Sequence, residues 1–343
     1  MKLLLTLPLL FITIVSFSQQ TIYGNITHDN ILRSYILYVP DIYSSNNDAP
    51  LVFNFHGYTS DAYSQMLYGD FRDIADTAGF LIVHPQGTLD FGGSTHFNVG
   101  WGGSFVDDIG FANKLLETIS NEYNIDLNKV YSTGMSNGGY MSYSLACQLS
   151  DKIAAIASVT GAMTSYQYLN CNPQNTIPIM QIHGDNDLIV PYNGSSFSLS
   201  IDNIINYWVT HNNCNSTPAI NILPDIITND LSTVNHIIYN DCNNSITNEL
   251  FLIYNGGHTW PGNPFFKSET NYDINASVEI WKFFSKYDIN GLITPISILE
   301  SNKEDYPSLI KIIDYFGREV KENKNQILFY IYDDGSVEKR LKL

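Results

Sequence analysis

The feature that most constrains the fold of this 343-residue chain is the segment Gly134-Met135-Ser136-Asn137-Gly138-Gly139. It follows a short apolar run at 129–132 and precedes a stretch whose apolar residues have helical spacing as far as Leu149. Glycines on both sides of a serine keep β-carbons out of a tight turn, so a strand can pass directly into a helix. The segment therefore predicts a nucleophile elbow with the Ser136 hydroxyl above a sheet. The alternative is a glycine-rich turn in which the serine only caps the helix.

Elsewhere, stretches typical of strands alternate with stretches typical of helices. The predicted strands are 31–39, 51–55, 80–83, 129–132, 153–159, 177–182 and 250–254, and the predicted helices are 61–78, 109–123, 137–149, 201–210 and 276–284. The run 31–39 alternates in polarity and is expected to be an edge strand, and Asp107 or Asp108 is expected to cap the helix at 109–123. The alternation predicts an α/β fold whose mainly parallel sheet has helices on both faces.

A nucleophilic serine needs a base, and the base needs an acid that orients it. In a fold of this kind the acid and then the histidine follow the serine, each at the carboxyl end of a later strand. Of the eight histidines, only His258 follows both Ser136 and a suitable acid and lies in a glycine-rich loop after a predicted strand. We therefore expect His258 to be the base. His56 and His183 stand beside glycines at strand ends, where a structural role in the loop is favoured.

Two aspartates follow the same predicted strand. Asp185 comes directly after a turn glycine and could serve the turn, whereas Asp187 precedes an apolar run that can pack it inward against the histidine. Asp187 is our choice for the acid, and Asp185 remains the alternative. The reaction also needs backbone donors for an oxyanion. We expect them at Asn137, next to the nucleophile, and at Tyr58, in the loop after the strand at 51–55.

The N-terminus has the pattern of a cleaved export signal. Lys2 precedes an apolar run from Leu3 to Val15, and small residues stand two apart at Ser16 and Ser18. The run is shorter than the roughly 20 residues that a bilayer core requires. Residues 1–18 are therefore predicted to be a signal peptide, and the mature chain is expected to be exported without a membrane span.

Export favours disulfides between the four cysteines, which lack the C-x-x-C spacing of a zinc or redox site. Three pairings are possible, and free buried thiols are the alternative. The pairing of Cys147 with Cys171 and of Cys214 with Cys242 closes two short loops and is our prediction.

The charge distribution divides the chain into two regions. The 45 residues from Leu299 onward carry eight basic and nine acidic residues, whereas the 298 before them carry nine basic and 25 acidic residues. The change predicts a boundary near residue 295, with a catalytic domain at 19–295 and a separate region at 296–343. The formal charge of −17 makes nucleic acid and anionic membranes poor partners.

Residues 30–287 resemble the secreted α/β-hydrolase group that includes polyhydroxybutyrate-depolymerase-like esterases and feruloyl esterases. The matching segments are Phe55-His56-Gly57, His84-Pro85-Gln86-Gly87, Trp101 with Val106-Asp107-Asp108-Ile109-Gly110-Phe111, Gly134 to Gly139, His183-Gly184 to Pro191-Tyr192, and Gly257-His258-Thr259-Trp260-Pro261-Gly262. The last of these is much more specific than the serine motif. The resemblance implies the α/β-hydrolase fold, with Ser136, Asp187 and His258 as nucleophile, acid and base. It also implies that Cys214 pairs with Cys242, and we expect Trp260 to contact the substrate.

The C-terminal region has a resemblance of its own. Segments 311–320 and 329–340 look like the C-terminal sorting region of proteins that the type IX system of Bacteroidetes exports. The chain lacks the proline-asparagine-proline segment that the longer pattern has upstream. The resemblance implies a small β-rich appendage and an interaction with that export machinery. The alternative is a β-hairpin domain that stabilises the enzyme.

These expectations combine into one hypothesis. The protein would be a secreted carboxylic-ester hydrolase that forms an acyl-serine intermediate, acting on feruloyl or acetyl esters of plant polysaccharide or on polyhydroxyalkanoate. Neither a metal nor an organic cofactor is expected. The alternatives are a secreted serine peptidase of the same fold, which would need a substrate-gating domain, and a non-catalytic polysaccharide-binding module, in which a broken triad would be expected.

Overall fold

The computed structural model describes residues 19–265, 268–293, 309–313, 318–321, 326–332 and 337–342. The predicted signal peptide and parts of the C-terminal region lie outside the described residues. The strands are β1 (Gln20–His28), β2 (Ile31–Val39), β3 (Ala49–Phe55), β4 (Leu81–Pro85), β5 (Thr88–Leu89), β6 (Thr95–His96), β7 (Ile125–Met135), β8 (Ala155–Val159), β9 (Ile179–Gly184), β10 (Ala219–Ile222), β11 (Thr233–Tyr239), β12 (Asn248–Tyr254), β13 (Tyr287–Asp288), β14 (Gly291–Leu292), β15 (Leu309–Ile313), β16 (Gln326–Tyr332) and β17 (Val337–Lys342). The helices are α1 (Ala62–Tyr68), α2 (Arg72–Ala78), α3 (Asp108–Glu122), α4 (Asn137–Gln148), α5 (Ser165–Asn170), α6 (Ile201–His211) and α7 (Ala276–Phe284). None of these helices has the length and apolar character needed to cross a membrane.

Ten of the described strands form one sheet in the order β1-β2-β4-β3-β7-β8-β9-β12-β11-β10. The six central strands, from β4 to β12 in this order, are parallel to one another. The two strands added at each end pair antiparallel. The carboxyl ends of parallel strands meet at one edge, so the loops after β3, β7, β9 and β12 lie together there. The predicted α/β architecture is confirmed.

The strand predicted at 31–39 exists, but it is not at the edge of the sheet. β1 pairs with it along its full length, from Gln20 opposite Val39 to His28 opposite Ile31. The residues of β1 are exposed or half-buried. Because they form no apolar run, the sequence does not signal this outer strand, and the edge prediction for 31–39 is wrong.

Helices cover both faces of the sheet. Consecutive strand residues point to opposite faces, so Leu51 and Phe53 join one apolar cluster while Val52 joins the other. The first cluster includes residues of α3, α4 and α6, and the second includes residues of α2 and α7. Both faces are therefore buried, which explains why the central strands have nearly continuous apolar sequences.

The helix predicted at 61–78 is interrupted and forms α1 and α2. The Asn54 side chain donates to the Gly69 carbonyl oxygen at 2.8 Å, and Asp70 Oδ1 accepts the Arg72 backbone N–H at 2.9 Å. Side chains thus replace the helical partners of these backbone groups at 69–72. A helical pattern of apolar residues alone does not reveal this competition.

The described residues belong to two compact units, with the division after Ile293. In the second unit, β15, β16 and β17 form an antiparallel sheet with β16 in the middle. This small β-rich region agrees with the predicted C-terminal appendage.

Candidate active site

Ser136 occupies the turn that joins β7 to α4. Its φ of 53° and ψ of −120° place a non-glycine residue in a sterically costly region of backbone conformation. A Cβ at Gly134 would lie 2.6 Å from the carbonyl oxygen of Phe55, and a Cβ at Gly138 would overlap the same oxygen. The two glycines therefore let the turn pack against the end of β3. This is the strand-to-helix geometry that the motif predicts.

The two predicted oxyanion donors lie on segments that come close to Ser136. A Cβ at Gly57 would be only 3.5 Å from the Ser136 Cβ, so the loop after β3 passes beside the serine. Asn137 opens α4, and its side chain holds Phe97 by accepting from its N–H at 2.7 Å and donating to its carbonyl at 3.0 Å. Among the described residues, no protein acceptor binds the backbone N–H of Tyr58 or Asn137. Free N–H groups beside a helix N-terminus suit a developing negative charge.

Asp187 and His258 meet at the ends of the neighbouring strands β9 and β12. Asp187 Oδ2 lies 2.8 Å from His258 Nδ1, while Oδ1 accepts the backbone N–H groups of Ile189 at 2.9 Å and Val190 at 2.8 Å. Burial, with 2 % of the residue exposed, raises the pKa of Asp187. The hydrogen bonds that the carboxylate accepts from His258 and from the Val190 N–H outweigh burial and bring the pKa below its ordinary 3.8. The ionised carboxylate thus favours the His258 tautomer with a proton on Nδ1 and an unprotonated Nε2.

A second buried histidine supports the loop that carries Asp187. Gln181 Nε2 lies 2.9 Å from His183 Nδ1, and since an amide nitrogen only donates, Nδ1 is the acceptor. The proton is then on Nε2, which donates to the Val190 carbonyl at 2.8 Å and lies 3.6 Å from Asp187 Oδ2. Burial lowers the pKa of His183 and keeps the ring neutral. His183 therefore has the structural role in the loop that its position beside a glycine suggests.

Asp185, the alternative acid, points elsewhere. Its Oδ1 accepts the backbone N–H of Asn255 at 2.7 Å, and its own N–H donates to the Ile253 carbonyl at 3.0 Å. It therefore ties the turn after β9 to the turn after β12. The structure places Asp187, not Asp185, beside His258.

Ser136 and His258 line one cavity of about 500 Å³. The other lining residues are Gly57, Tyr58, Ser60, Ser64, Gln65, Leu67, Tyr68, Met135 and Phe265. In the part of the chain that is described, no hydrogen bond joins Ser136 Oγ to His258; such contacts are often loose before substrate binds. Leu67, Tyr68 and Phe265 were not predicted because they come from a helix end and a loop that carry no motif.

Trp260 does not line this cavity, and its position gives no support to the expectation that it contacts the substrate. Its side chain is 1 % exposed, packs edge-to-face on Phe71 with ring centroids 6.1 Å apart, and donates from Nε1 to Ser277 Oγ at 3.1 Å. Its backbone N–H donates to the Tyr68 hydroxyl at 3.3 Å. The indole is held in the core and anchors the loop that carries His258.

The aspartates at the start of α3 have the structural roles expected of them. Asp107 caps the helix, and Asp108 forms a buried ion pair with Arg33 at 2.6 Å. Asp107 also lies near His28 and Asp29. Each of these three residues has one atom that could bind a metal ion, and the three atoms lie within 4.8 Å of one another. No member of this group lines the cavity described above.

The structure contains both predicted disulfides. Cys147 in α4 is bonded to Cys171 after α5, and Cys214 after α6 is bonded to Cys242 after β11. The sequence separations are 24 and 28 residues. No cysteine among the described residues is free.

Known proteins similar to this chain include several esterases. Residues 110–239 match a family described as Phospholipase/Carboxylesterase. The probable feruloyl esterase C of Aspergillus niger is 28% identical over 227 residues, which cover 66% of this chain and 76% of that protein. Feruloyl esterase D of Neurospora crassa is 27% identical over 281 residues, with 78% and 86% covered. The bifunctional acetylxylan esterase/xylanase XynS20E of Neocallimastix patriciarum is 31% identical over 160 residues, 47% of this chain but only 22% of that longer protein.

A solved structure supports the fold independently of these names. The acetyl xylan esterase from Aspergillus awamori superposes with a TM-score of 0.52, covering 78% of this chain and 99% of that chain at 16% identity. At this identity the likeness concerns the fold alone. The architecture and the similar esterases together show that this protein is a serine carboxylesterase with the α/β-hydrolase fold.

Proposed function

We propose that the protein hydrolyses its ester through an acyl-serine intermediate, with Ser136 as nucleophile, His258 as base and Asp187 as the acid that orients the base. The observation that carries the proposal is the 2.8 Å contact of Asp187 with His258, whose ring shares a cavity with Ser136. Asp187 is buried and ionised, so it can stabilise the imidazolium that forms when His258 takes a proton.

The reaction has two halves. Ser136 Oγ attacks the ester carbonyl carbon while His258 Nε2 takes the hydroxyl proton, and the Tyr58 and Asn137 N–H groups bind the negative oxygen. The intermediate then breaks its bond to the alcohol oxygen, which leaves with the proton from His258. In the second half, a water molecule loses a proton to His258 and attacks the acyl-serine, and the carboxylic acid departs as Ser136 regains its proton.

The proposed substrates are feruloyl or acetyl esters of plant polysaccharide. The names of the similar esterases favour these substrates over polyhydroxyalkanoate. The cavity beside Ser136 includes the apolar side chains of Leu67 and Phe265, and its volume of about 500 Å³ lies within the range of small-molecule sites. Turnover of p-nitrophenyl acetate, methyl ferulate, acetylated xylan and polyhydroxybutyrate distinguishes these classes, and exclusive cleavage of polyhydroxybutyrate would overturn the choice.

Replacement of the nucleophile tests the mechanism. Ser136→Ala should lower kcat by about 10⁴ to 10⁶ while the protein stays folded. Ser60→Ala is the matched control, because its hydroxyl lines the same cavity but has no assigned step. Residual activity of Ser136→Ala above a tenth of wild type would refute the mechanism. Circular dichroism shows whether Ser136→Ala is folded. If that variant is unfolded, labelling of the wild type with a fluorophosphonate tests the mechanism instead, because the reagent should modify Ser136.

The proposal includes export, with residues 1–18 as signal peptide, 19–295 as catalytic domain and 296–343 as type IX sorting region. The two disulfides support an oxidising compartment. All proposed site residues belong to the first compact unit. Truncation after residue 295 should therefore keep specific activity but retain the enzyme in the periplasm of a host with this export system. Normal secretion of the truncated chain would refute the sorting role, and an inactive truncated chain would refute the domain boundary.

A further inference from the structure

Two phenylalanines, Phe91 and Phe105, are largely exposed. Phe91 is 71 % exposed and Phe105 is 89 % exposed, and their ring centroids lie 5.4 Å apart in an edge-to-face arrangement. Single exposed apolar residues are common on protein surfaces, but a contacting pair of exposed aromatic rings is a feature of binding sites. We call this pair the aromatic platform.

The loop that carries Phe91 is tied down by hydrogen bonds. Asp90 Oδ1 accepts the backbone N–H groups of Gly92 at 2.8 Å and Ser94 at 2.9 Å, and the Phe91 N–H donates to the Gly103 carbonyl at 2.9 Å. The short hairpin of β5 and β6 closes the base of the loop. The exposed ring of Phe91 is therefore presented by an ordered turn that is joined to the segment leading to Phe105.

The aromatic platform is connected to the cavity that holds Ser136. Tyr58 lines that cavity, and its hydroxyl donates to Asp90 Oδ2 at 2.7 Å. The next residue after Asp90 is Phe91, so one hydrogen bond joins the wall of the cavity to the platform. This hydrogen bond therefore holds the turn that carries Phe91 against the wall of the cavity.

Polar groups lie beside Phe105. Phe105 lines a crevice of about 280 Å³ together with Gln148, Asn170 and Tyr166. Gln148, Asn170 and Tyr166 are exposed, so their amide and hydroxyl groups can reach a ligand. Aromatic faces next to amide side chains match the chemistry of a sugar, whose apolar C–H face alternates with hydroxyl groups.

We propose that Phe91 and Phe105 form a subsite for sugar rings of a neutral polysaccharide chain that bears the ester cleaved at Ser136. This inference rests on the proposed function and adds where the polymer binds. The carboxylates of Asp90 and Asp107, beside the platform and in the crevice, disfavour an anionic polymer. A protein partner is disfavoured because two phenylalanine side chains offer about 300–500 Å², well below the roughly 800 Å² per partner in a standard interface.

The experiment separates polymer binding from turnover. Binding to insoluble xylan is measured in the Ser136→Ala background for the unchanged platform, for Phe91→Ala with Phe105→Ala, and for Tyr168→Ala. Tyr168 is the control, since it pairs with Tyr207 at the same 5.4 Å ring separation but lines neither the active-site cavity nor the crevice. The double replacement should weaken the Kd for xylan about tenfold, equivalent to the loss of about 1.4 kcal/mol, and Tyr168→Ala should leave it unchanged.

Turnover by the active enzyme provides the second measurement. The double replacement should raise KM for acetylated xylan about tenfold and leave kcat/KM for p-nitrophenyl acetate unchanged. The variant Phe91→Trp with Phe105→Trp should bind xylan as the parent does, unlike the double alanine variant. A merely structural role of the two phenylalanines would not predict this. The proposal would be overturned if the double alanine variant bound xylan as the parent does, or if it lost kcat/KM equally on both esters. A loss of binding confined to polyhydroxybutyrate granules would also overturn it. If the wild type cleaves neither ester, the proposed function fails, while the xylan measurement still tests the platform.

Discussion

Replacement of Asp187 by asparagine tests the candidate site most directly. Asp187 Oδ1 accepts two backbone N–H groups, from Ile189 and Val190, so the oxygen of an asparagine side chain should keep that place. The amide nitrogen then faces His258 Nδ1, where the carboxylate oxygen now lies at 2.8 Å. Because the amide nitrogen can only donate, it forces Nδ1 to accept and moves the imidazole proton to Nε2. His258 in that tautomer cannot take the proton of Ser136.

The expected loss follows from this exchange of donor and acceptor. Asp187→Asn should lower kcat by up to about 10⁴, or about 5.4 kcal/mol in activation free energy, as expected when the wrong imidazole tautomer is held. The cost in unfolding free energy should be smaller, about 1–3 kcal/mol, because the side chain keeps its shape and two of its hydrogen bonds. Activity should therefore fall far more than stability.

Asp185→Asn is the matched control, two residues away on the same loop. Among the described residues its side chain accepts a hydrogen bond from the Asn255 N–H, which an amide oxygen can also accept. Its kcat should stay within about threefold of wild type, the range expected for surface changes of about 0.5 kcal/mol. The assay is steady-state hydrolysis of p-nitrophenyl acetate, with folding followed by thermal melting. A larger loss for Asp185→Asn, or more than a tenth of wild-type kcat for Asp187→Asn, would refute the assignment of the acid.

Three further predictions concern stability. Cys214→Ser with Cys242→Ser should lower the free energy of unfolding by about 3–4 kcal/mol in urea titrations, because a loop of this length is released; an unchanged midpoint would contradict this. Trp260→Ala should destabilise the fold by about 3–5 kcal/mol through the cavity it leaves. KM should stay unchanged in that variant, and a selective rise in KM would show that Trp260 contacts the substrate. Burial raises the pKa of Glu249, but the hydrogen bond from a neighbouring histidine and the charge of Lys286 outweigh it and bring the pKa below 4.5. A depressed carboxyl pKa contributes stability that is present above the unfolded value and lost as pH falls through the folded value. The stability gap between wild type and Glu249→Gln should therefore shrink below pH 4.5, and a gap independent of pH would contradict a stabilising role for the ionised Glu249 carboxylate.

The parts of this protein that depend on neighbouring residues in the chain could be predicted from the sequence. The elbow at Ser136 is one, because the two glycines that permit the turn lie within two positions of the serine. The strands and helices around it are another, since apolar periodicity follows from which face of an element is buried. The order of serine, acid and histidine along the chain, together with the glycine-rich loop that follows a predicted strand, then made His258 the predicted base.

The remaining features of the site depend on packing and hydrogen bonds between residues that are far apart in the sequence. Asp185 and Asp187 differ by two positions, and only the packing of β9 against β12 determines that one meets Asn255 and the other meets His258. Trp260 follows His258 closely in sequence but is drawn into the core, because its large apolar surface is worth more when buried beside Phe71 than at a cavity mouth.

The cavity itself was also beyond the sequence. Leu67 and Tyr68 reach it because α1 ends where Asn54, a residue of the neighbouring strand β3, takes the Gly69 carbonyl. No local pattern encodes a hydrogen bond whose partners are 15 residues apart. The sequence determined which side chains can do the chemistry, whereas the tertiary structure determined which of them meet, because burial and hydrogen-bond competition act between segments that only folding brings together.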